Sequence, residues 1–227
     1  MNIKSTSYSR LLDYESCPMK AKLKVIDRIP DPNPHPAGLR GTAIHSACEE
    51  FVNGASSALC TDASQHFEAE FKSLRQHYKS GRVSLEGEWA FDTDWNPVDW
   101  KAGWLRVKLD AYVALTPQHA VVIDYKTGKR FGNELKHGEQ LQLYALSVLL
   151  RYPDIQAVTA ELWYLDVNDL VSFSVTRDYG LRLLKPFDKR FHKMTSATSF
   201  PATPNIESCK YCPFHPVRGT GHCRVGV

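Results

Sequence analysis

A carboxylate and a lysine lie two residues apart at the polar end of an apolar segment, residues 120–126. Asp124 and Lys126 project to the same side of a strand, because side chains two apart share a face. A second carboxylate, Asp110, ends another extended run at residues 105–110. If the two strands pair through the short turn between them, the carboxylates of Asp110 and Asp124 converge.

Two converging carboxylates supply the oxygen ligands that a hard divalent cation such as Mg²⁺ requires. Such a cation can activate one of its waters for attack. The backbone carbonyl of Tyr125 can add a ligand, and Lys126 can orient the water or offset charge on a phosphate. The alternative is a surface salt bridge between Asp124 and Lys126, and the Asp-x-Lys spacing alone favours this simpler interpretation.

Polar residues outside these strands are also candidates. His45 lies on an otherwise apolar helical face, as either a hydrogen-bonded buried histidine or a metal ligand. Gln140 and Tyr144 are four residues apart and therefore share one helix face. They are either the polar edge of a core helix or groups that face the site. Residues 127–130 form either an ordinary basic turn or a grip on a phosphate backbone.

The six cysteines are Cys17, Cys48, Cys60, Cys209, Cys212 and Cys223. In a reducing cytosol a disulfide framework is the weaker interpretation, so ligation is considered for cysteines at ligand spacing. Three lie in the tail, two of them as a C-x-x-C, and Cys17 lies near the other terminus. Four thiolates suit a [4Fe–4S] cluster or Zn²⁺. Two tail histidines keep zinc open, His215 and His222. Cys48 is expected to be a small buried apolar residue.

The hydrophobic pattern predicts an α/β fold. Helices are predicted over residues 7–24, 39–52, 63–78, 134–150 and 178–194, the last split or kinked at Pro186. Strands are predicted over residues 83–91, 104–115, 120–126, 157–165 and 170–175. Four prolines predict a stiff loop without helix, Pro30, Pro32, Pro34 and Pro36.

This order of elements predicts a mixed sheet flanked by helices. We expect one domain over residues 1–227. Residues 1–82 would form a helical lobe, residues 83–177 the catalytic core, and residues 178–227 a helix and an irregular cysteine-rich tail.

Composition adds little about partners. The net charge of the 227 residues is +3, so only a local basic patch can argue for nucleic acid. The first five residues contain no apolar signal-peptide core, and no apolar run reaches membrane-spanning length. A cytoplasmic protein without a membrane partner is expected.

The motifs, taken in order, resemble the RecB-like nucleases of the PD-(D/E)XK superfamily. That resemblance includes the iron–sulfur nucleases associated with CRISPR systems and many phage exonucleases. The pattern is a Gly-x-x-x-His helix, an Asp, an Asp/Glu-x-Lys strand and a Gln-x-x-x-Tyr helix. Matching residues are Gly41, His45, Asp110, Asp124, Lys126, Gln140 and Tyr144. The opening at residues 7–11 and the pair Cys17 and Pro18 also match.

The resemblance implies a restriction-endonuclease-like core and a divalent-metal-dependent DNA exonuclease. The implied metal ligands are His45, Asp110, Asp124 and Tyr125, and an imidazole ligand favours Mn²⁺ over Mg²⁺. The implied catalytic residues are Asp110, Asp124, Lys126, Gln140 and Tyr144. The implied ligands of a [4Fe–4S] cluster, with Zn²⁺ as the alternative, are Cys17, Cys209, Cys212 and Cys223.

The implied substrate is DNA that is single-stranded or has a free end, and no protein partner is indicated. Two other functions remain open, an endonuclease or CRISPR-adaptation nuclease with the same centre, and a non-catalytic DNA-binding module. Residues 1–82 are expected to form either a basic groove with stacking faces or an ordinary solvated surface. Its members would be Lys20, Lys22, Lys24, Arg28, Arg40, Lys72, Arg75, Lys79, Arg82, Tyr8, Tyr14, Phe71 and Tyr78.

Overall fold

A six-stranded mixed sheet forms the centre of the protein in the computed structural model, which describes residues 2–31 and 33–227. The strands are β1 Val83–Phe91, β2 Pro97–Val98, β3 Leu105–Thr116, β4 His119–Lys126, β5 Ala157–Tyr164 and β6 Asp169–Thr176. Their order across the sheet is β2-β1-β3-β4-β5-β6. Strands β4 and β5 run parallel, and the other neighbouring pairs are antiparallel. The predicted α/β fold with a mixed sheet is confirmed.

Helices cover both faces of the sheet. They are α1 Tyr8–Ser16, α2 Pro18–Ala21, α3 Pro36–Asn53, α4 Thr61–Lys79, α5 Glu134–Arg151, α6 Arg177–Arg182, α7 Leu184–Thr195 and α8 Ile206–Cys209. Helix α5 links the parallel pair β4 and β5, which a tight turn cannot join. Among the described residues, no helix is both long and apolar enough to cross a membrane.

Two hydrophobic clusters separate the faces. The first joins α1, α5 and α7 to one face of the sheet, through residues such as Leu11 and Phe191. The second joins α3 and α4 to the other face, through residues such as Phe51 and Phe71. The amino-terminal helices therefore contribute to both clusters. The division into lobe, core and tail remains a prediction.

Proline and its neighbours move several predicted helix boundaries. The helix expected over residues 7–24 breaks at Cys17, whose extended backbone (φ −162°) precedes Pro18. A π-helical turn, Lys22–Ile26, follows α2. Ser7 caps α1, as one of the three expected caps. Pro36 opens α3 instead of lying in a loop, because the first helical turn tolerates a missing N–H.

Of two carboxy-terminal predictions, the split of the last predicted helix is confirmed, and the wholly irregular tail was wrong. The break between α6 and α7 falls at Leu183, three residues before Pro186. Proline removes a donor and clashes with the carbonyl four residues earlier, so the helix ends before it. The tail contains the short helix α8, capped by Asn205, where only irregular structure was expected. Pro32 of the expected stiff loop lies outside the described residues.

Candidate metal centre and cysteine site

A local irregularity in β1 and β3 positions the candidate centre. Glu86 in β1 has a positive φ of 47° and stands opposite Asp110, between paired residues on either side. Before Glu86 the partly buried side chains of β1 pack against the second hydrophobic cluster. After Glu86 the buried side chains of the same strand belong to the first cluster. In β3, Leu109 packs in the first cluster, whereas Ala111, two residues later, packs in the second. The two carboxylates therefore lie where both strands switch faces.

The pairing of β3 with β4 stops one residue short of the two aspartates. Ala111 is the last paired residue of β3 at this end, opposite Ile123. Beyond it, the Tyr125 N–H donates a hydrogen bond of 2.6 Å to Asp110 Oδ2. The hairpin thus places Asp110 opposite Asp124, as the predicted pairing of the two strands requires.

Helix α3 brings a histidine to Asp110. His45 Nδ1 lies 3.0 Å from Asp110 Oδ1. One turn earlier, a Cβ on Gly41 would come within 3.1 Å of Thr127 Oγ1, so the glycine lets α3 approach the loop after β4. The potential ligand atoms of His45, Glu86 and Asp110 all lie within 4.8 Å of one another.

Lysine, glutamine and tyrosine form a chain on the other side of the aspartates. Lys126 Nζ lies 2.6 Å from Asp124 Oδ2 and donates a hydrogen bond of 2.8 Å to Gln140 Oε1. Gln140 Nε2 donates to the Tyr144 hydroxyl at 2.6 Å. The residues predicted from β4 and α5 therefore meet in the structure.

The charges at the centre are crowded and poorly solvated. Burial raises the pKa of Asp110, the hydrogen bond from His45 opposes that rise, and the charge of Asp124 adds to it. Burial disfavours the charged imidazole of His45, but the hydrogen bond and charge of Asp110 outweigh burial and leave its pKa raised. Neighbouring carboxylates without enough counter-charge are what a bound cation would stabilise.

The donor set fits a divalent cation. Asp124 is only 4% exposed, and its Oδ2 faces the Lys126 ammonium at 2.6 Å. Carboxylate oxygens and one imidazole match the ligands of Mg²⁺ or Mn²⁺. Tyr125 supplies its N–H to Asp110, and its side chain packs in the second cluster beside the His45 ring. Its carbonyl as a ligand remains a prediction.

Glu86 was missed by the sequence interpretation. It precedes Gly87 within an ordinary strand pattern, and only its unusual backbone conformation turns it toward His45 and Asp110. A salt bridge of 2.6 Å joins Glu86 to Lys108, a residue that also lines the cleft. A glutamate beside a glycine in a predicted strand was the available signal, because Gly often marks a bulge.

The basic loop after β4 is anchored within the protein. The Gly128 N–H donates to Asp166 at 2.6 Å, and Arg130 forms an ion pair with Asp169 and lies 5.9 Å from the centre of the Tyr164 ring. Arg130 is therefore already held by a carboxylate. A direct grip of this loop on phosphate remains a prediction.

The expected basic groove over residues 1–82 is wrong in part. Asp13 pairs with both Lys20 and Lys24, and Arg40 pairs with carboxylates of α4 and the β5–β6 turn. Phe71 is fully buried and cannot stack on a base. Tyr8 is also buried and donates its hydroxyl hydrogen bond to α5. These groups are already engaged in ion pairs with acidic neighbours or packed in the core. A count of residues cannot show either effect.

The four candidate cysteines of the two termini line one small pocket, although 192 residues separate Cys17 from Cys209. Backbone contacts join the termini there, since the Met19 N–H donates to the Pro201 carbonyl at 3.2 Å. All four are free thiols, Cys17, Cys209, Cys212 and Cys223. Burial raises the pKa of Cys212, while the charge of Lys20 lowers it.

The spacing of these sulfurs bears on what they can hold. Within the described residues, no three cysteines have all their sulfurs within 4.8 Å of one another. Thiolates around one zinc ion, with bonds of about 2.3 Å, lie roughly 3.8 Å apart. His215 lines the pocket, but its Nδ1 accepts hydrogen bonds from two backbone N–H groups and its Nε2 faces Arg218. Cys48 is buried in the second cluster, as expected.

Comparison with known proteins places the chain in a family. The model of the PD-(D/E)XK nuclease superfamily matches residues 5–217, so the chain belongs to that superfamily. It is a nuclease by family, and its substrate is accordingly nucleic acid. No curated protein sequence matches the chain.

Two solved structures align with most of the chain at low sequence identity. A putative exonuclease from Eubacterium rectale is 15% identical, with a TM-score of 0.54 over 98% of this chain and 89% of that chain. An alkaline exonuclease from Laribacter hongkongensis is 12% identical, with a TM-score of 0.35 over 85% of this chain and 87% of that chain. The first supports the fold, and the second is too distant in structure to carry an argument.

Proposed function

We propose that the protein is a divalent-metal-dependent DNA exonuclease whose centre is built by His45, Asp110, Asp124 and Lys126. The observation that carries this proposal is the meeting of His45, Glu86 and Asp110, whose potential ligand atoms lie within 4.8 Å of one another, beside the buried pair Asp124 and Lys126. Glu86 joins the set as a further candidate ligand.

The protein residues have separable roles in this proposal. A divalent cation, when bound, supplies Lewis-acid stabilisation of the phosphate and a more acidic water. Asp110 and Asp124 would supply oxygen ligands to this cation, and the backbone carbonyl of Tyr125 is a further ligand in the proposal. Lys126, held by Gln140, directs its ammonium toward the same space and offsets charge that develops on the phosphate.

Gln140 and Tyr144 support that lysine from α5. Their hydrogen bond of 2.6 Å fixes the amide, so that its oxygen faces Lys126 and its NH₂ faces the tyrosine hydroxyl. Burial raises the pKa of Tyr144 well above its ordinary value, and the nearby aspartates reinforce that rise. Tyr144 therefore stays protonated, and Asp124 is a neighbouring acceptor for its hydroxyl hydrogen bond.

We also propose that the four-cysteine pocket holds a [4Fe–4S] cluster with a structural role. Each thiolate of a cluster binds a different iron, so its sulfurs stand further apart than those around one zinc ion. Two observations support a cluster over zinc: no three of the described cysteine sulfurs all lie within 4.8 Å of one another, and both nitrogens of His215 are engaged. The cluster would join α1 and α2 to a tail that adds little to either hydrophobic cluster.

Digestion of end-labelled linear DNA, with and without a chelator, tests the proposed activity. Cleavage is expected with Mn²⁺ or Mg²⁺, and none after chelation. A non-catalytic DNA-binding module would retain the DNA and leave it intact under every condition. Adding the metal back after chelation is the control, and it should restore cleavage.

A further inference from the structure

A second cleft adjoins the metal centre and has no role in the chemistry described above. Its volume is about 370 Å³, and it shares Lys108, Gln140 and Tyr144 with the lining of the metal cleft. The start of α1 and the region around Trp100 form its other walls. The two clefts therefore form a continuous depression in the surface, with Lys108 between them.

Two arginines line this second cleft without a carboxylate partner in the part of the chain that the structure describes. Arg10 Nη1 donates to the carbonyl and hydroxyl of Ser5, at 2.8 and 3.0 Å. Arg106 Nε donates to the Trp100 carbonyl at 3.0 Å, and its guanidinium lies 5.0 Å from the centre of the Trp100 ring. Each therefore binds neutral groups only.

The two guanidinium groups are also close enough to repel each other. Burial lowers the pKa of Arg10, and the charge of Arg106 lowers it further. Elsewhere the fold neutralises such groups, since Arg190 pairs with both Glu15 and Glu139. An uncompensated pair of arginines in a concave surface is arranged to attract an anion.

We propose that Arg10 and Arg106 bind a phosphate of the nucleic-acid strand whose scissile phosphate lies at the metal centre. This inference rests on the proposed nuclease function and adds a substrate-positioning site to it. Guanidinium groups donate paired hydrogen bonds to phosphate oxygens. Ser7 and Ser9 also line the cleft and add hydroxyl groups, which lie 3.1 Å from each other. The phosphate belongs either to a strand end or to an internal linkage.

Fluorescence anisotropy with single-stranded DNA, in EDTA, measures this site without cleavage. Arg10→Gln and Arg106→Gln are compared with wild type over a range of salt concentrations. Each lost phosphate contact should reduce the slope of log K against log salt by about 0.7. Arg182→Gln is the matched control, because Arg182 is exposed and lines neither cleft. Affinity and slope unchanged in both cleft variants would overturn the proposal.

Oligonucleotides with a 5′-phosphate, a 3′-phosphate or two hydroxyl ends distinguish the two sources of phosphate. A terminal-phosphate advantage that disappears in Arg106→Gln assigns the site to a strand end. An equal loss for all three oligonucleotides assigns it to an internal linkage. Arg106→Lys should keep the wild-type slope with weaker binding, because it retains the charge but not the planar fork. That variant separates phosphate binding from misfolding.

The outcomes also separate this inference from the proposed activity. Arginine-dependent binding without cleavage in Mn²⁺ or Mg²⁺ would refute the nuclease proposal and leave the phosphate site standing. Metal-dependent cleavage with no effect of either arginine on binding would refute the phosphate site alone.

Discussion

The contact between His45 and Asp110 can serve either as an internal hydrogen bond or as one side of a metal site. The distance of 3.0 Å suits a hydrogen bond, and both side chains remain partly accessible from the cleft. Glu86 lies within ligand distance of the same pair. The two interpretations differ in whether removing the imidazole changes the response to metal ions.

We predict that His45→Ala narrows the preference for Mn²⁺ over Mg²⁺. An imidazole in an otherwise oxygen-rich site favours Mn²⁺, so wild type should be at least as active with Mn²⁺ as with Mg²⁺, and inactive with Ca²⁺. In the variant, the Mn²⁺ concentration for half-maximal cleavage should rise about 10-fold or more. Metal titrations of cleavage measure this.

Ser46→Ala is the matched control, since Ser46 is an exposed neighbour on the same cleft. An unchanged metal preference in His45→Ala would mean that His45 is only a hydrogen-bond partner of Asp110.

At the scale of elements, the sequence predicted most strands and helices within a few residues, because hydrophobic periodicity follows burial. The turn between β3 and β4 was predicted from the same pattern, and it places the two aspartates opposite each other. The change of phase at Glu86 was not predictable, because a positive φ at a non-glycine residue depends on the neighbouring strand and on α3.

The meeting of the two termini was predicted from the cysteines and from the resemblance, since no hydrophobic pattern links Cys17 to the tail. The ion pairs of the basic residues could not be predicted from the sequence either. A count of lysines and arginines in residues 1–82 cannot show that Asp13 neutralises two of them. The cleft lined by Arg10 and Arg106 could not be predicted from the sequence, because it depends on how α1 packs beside β3.

We predict that the protein purified without oxygen is brown, with near-stoichiometric iron and sulfide. Cys17→Ser should remove the visible absorbance and lower the melting temperature, because the α1–α2 region would lose its link to the tail. Absorbance spectra, iron and zinc analysis, and thermal melts measure this.

Cys60→Ser is the control, because Cys60 is the N-cap of α4, where serine is favoured, and it lies outside the cysteine pocket. One equivalent of zinc without iron would contradict the cluster and favour a zinc site.

At the scale of the whole molecule, the metal cleft and the arginine cleft form one depression across the edge of β3 and the start of α1. A depression that binds phosphate beside the centre suits a strand that is threaded from its end.

We predict that cleavage requires a DNA end. Linear single- and double-stranded DNA are compared with covalently closed circles, under identical metal and salt conditions. Linear DNA should be degraded, and the circles should stay intact over the same period. Efficient cutting of circular single strands would identify an endonuclease and leave the metal centre unaffected.

The central claim is that Asp124 and Lys126 perform chemistry instead of stabilising the fold. The most direct measurement is the cleavage rate of linear DNA by Asp124→Ala and Lys126→Ala, with Lys189→Ala as a control at an exposed position of α7 that lines neither cleft. Each of the first two variants should lose activity by about 100-fold or more, with a melting temperature near that of wild type and DNA binding retained. Cleavage at the wild-type rate by a folded Asp124→Ala or Lys126→Ala protein would contradict the assignment.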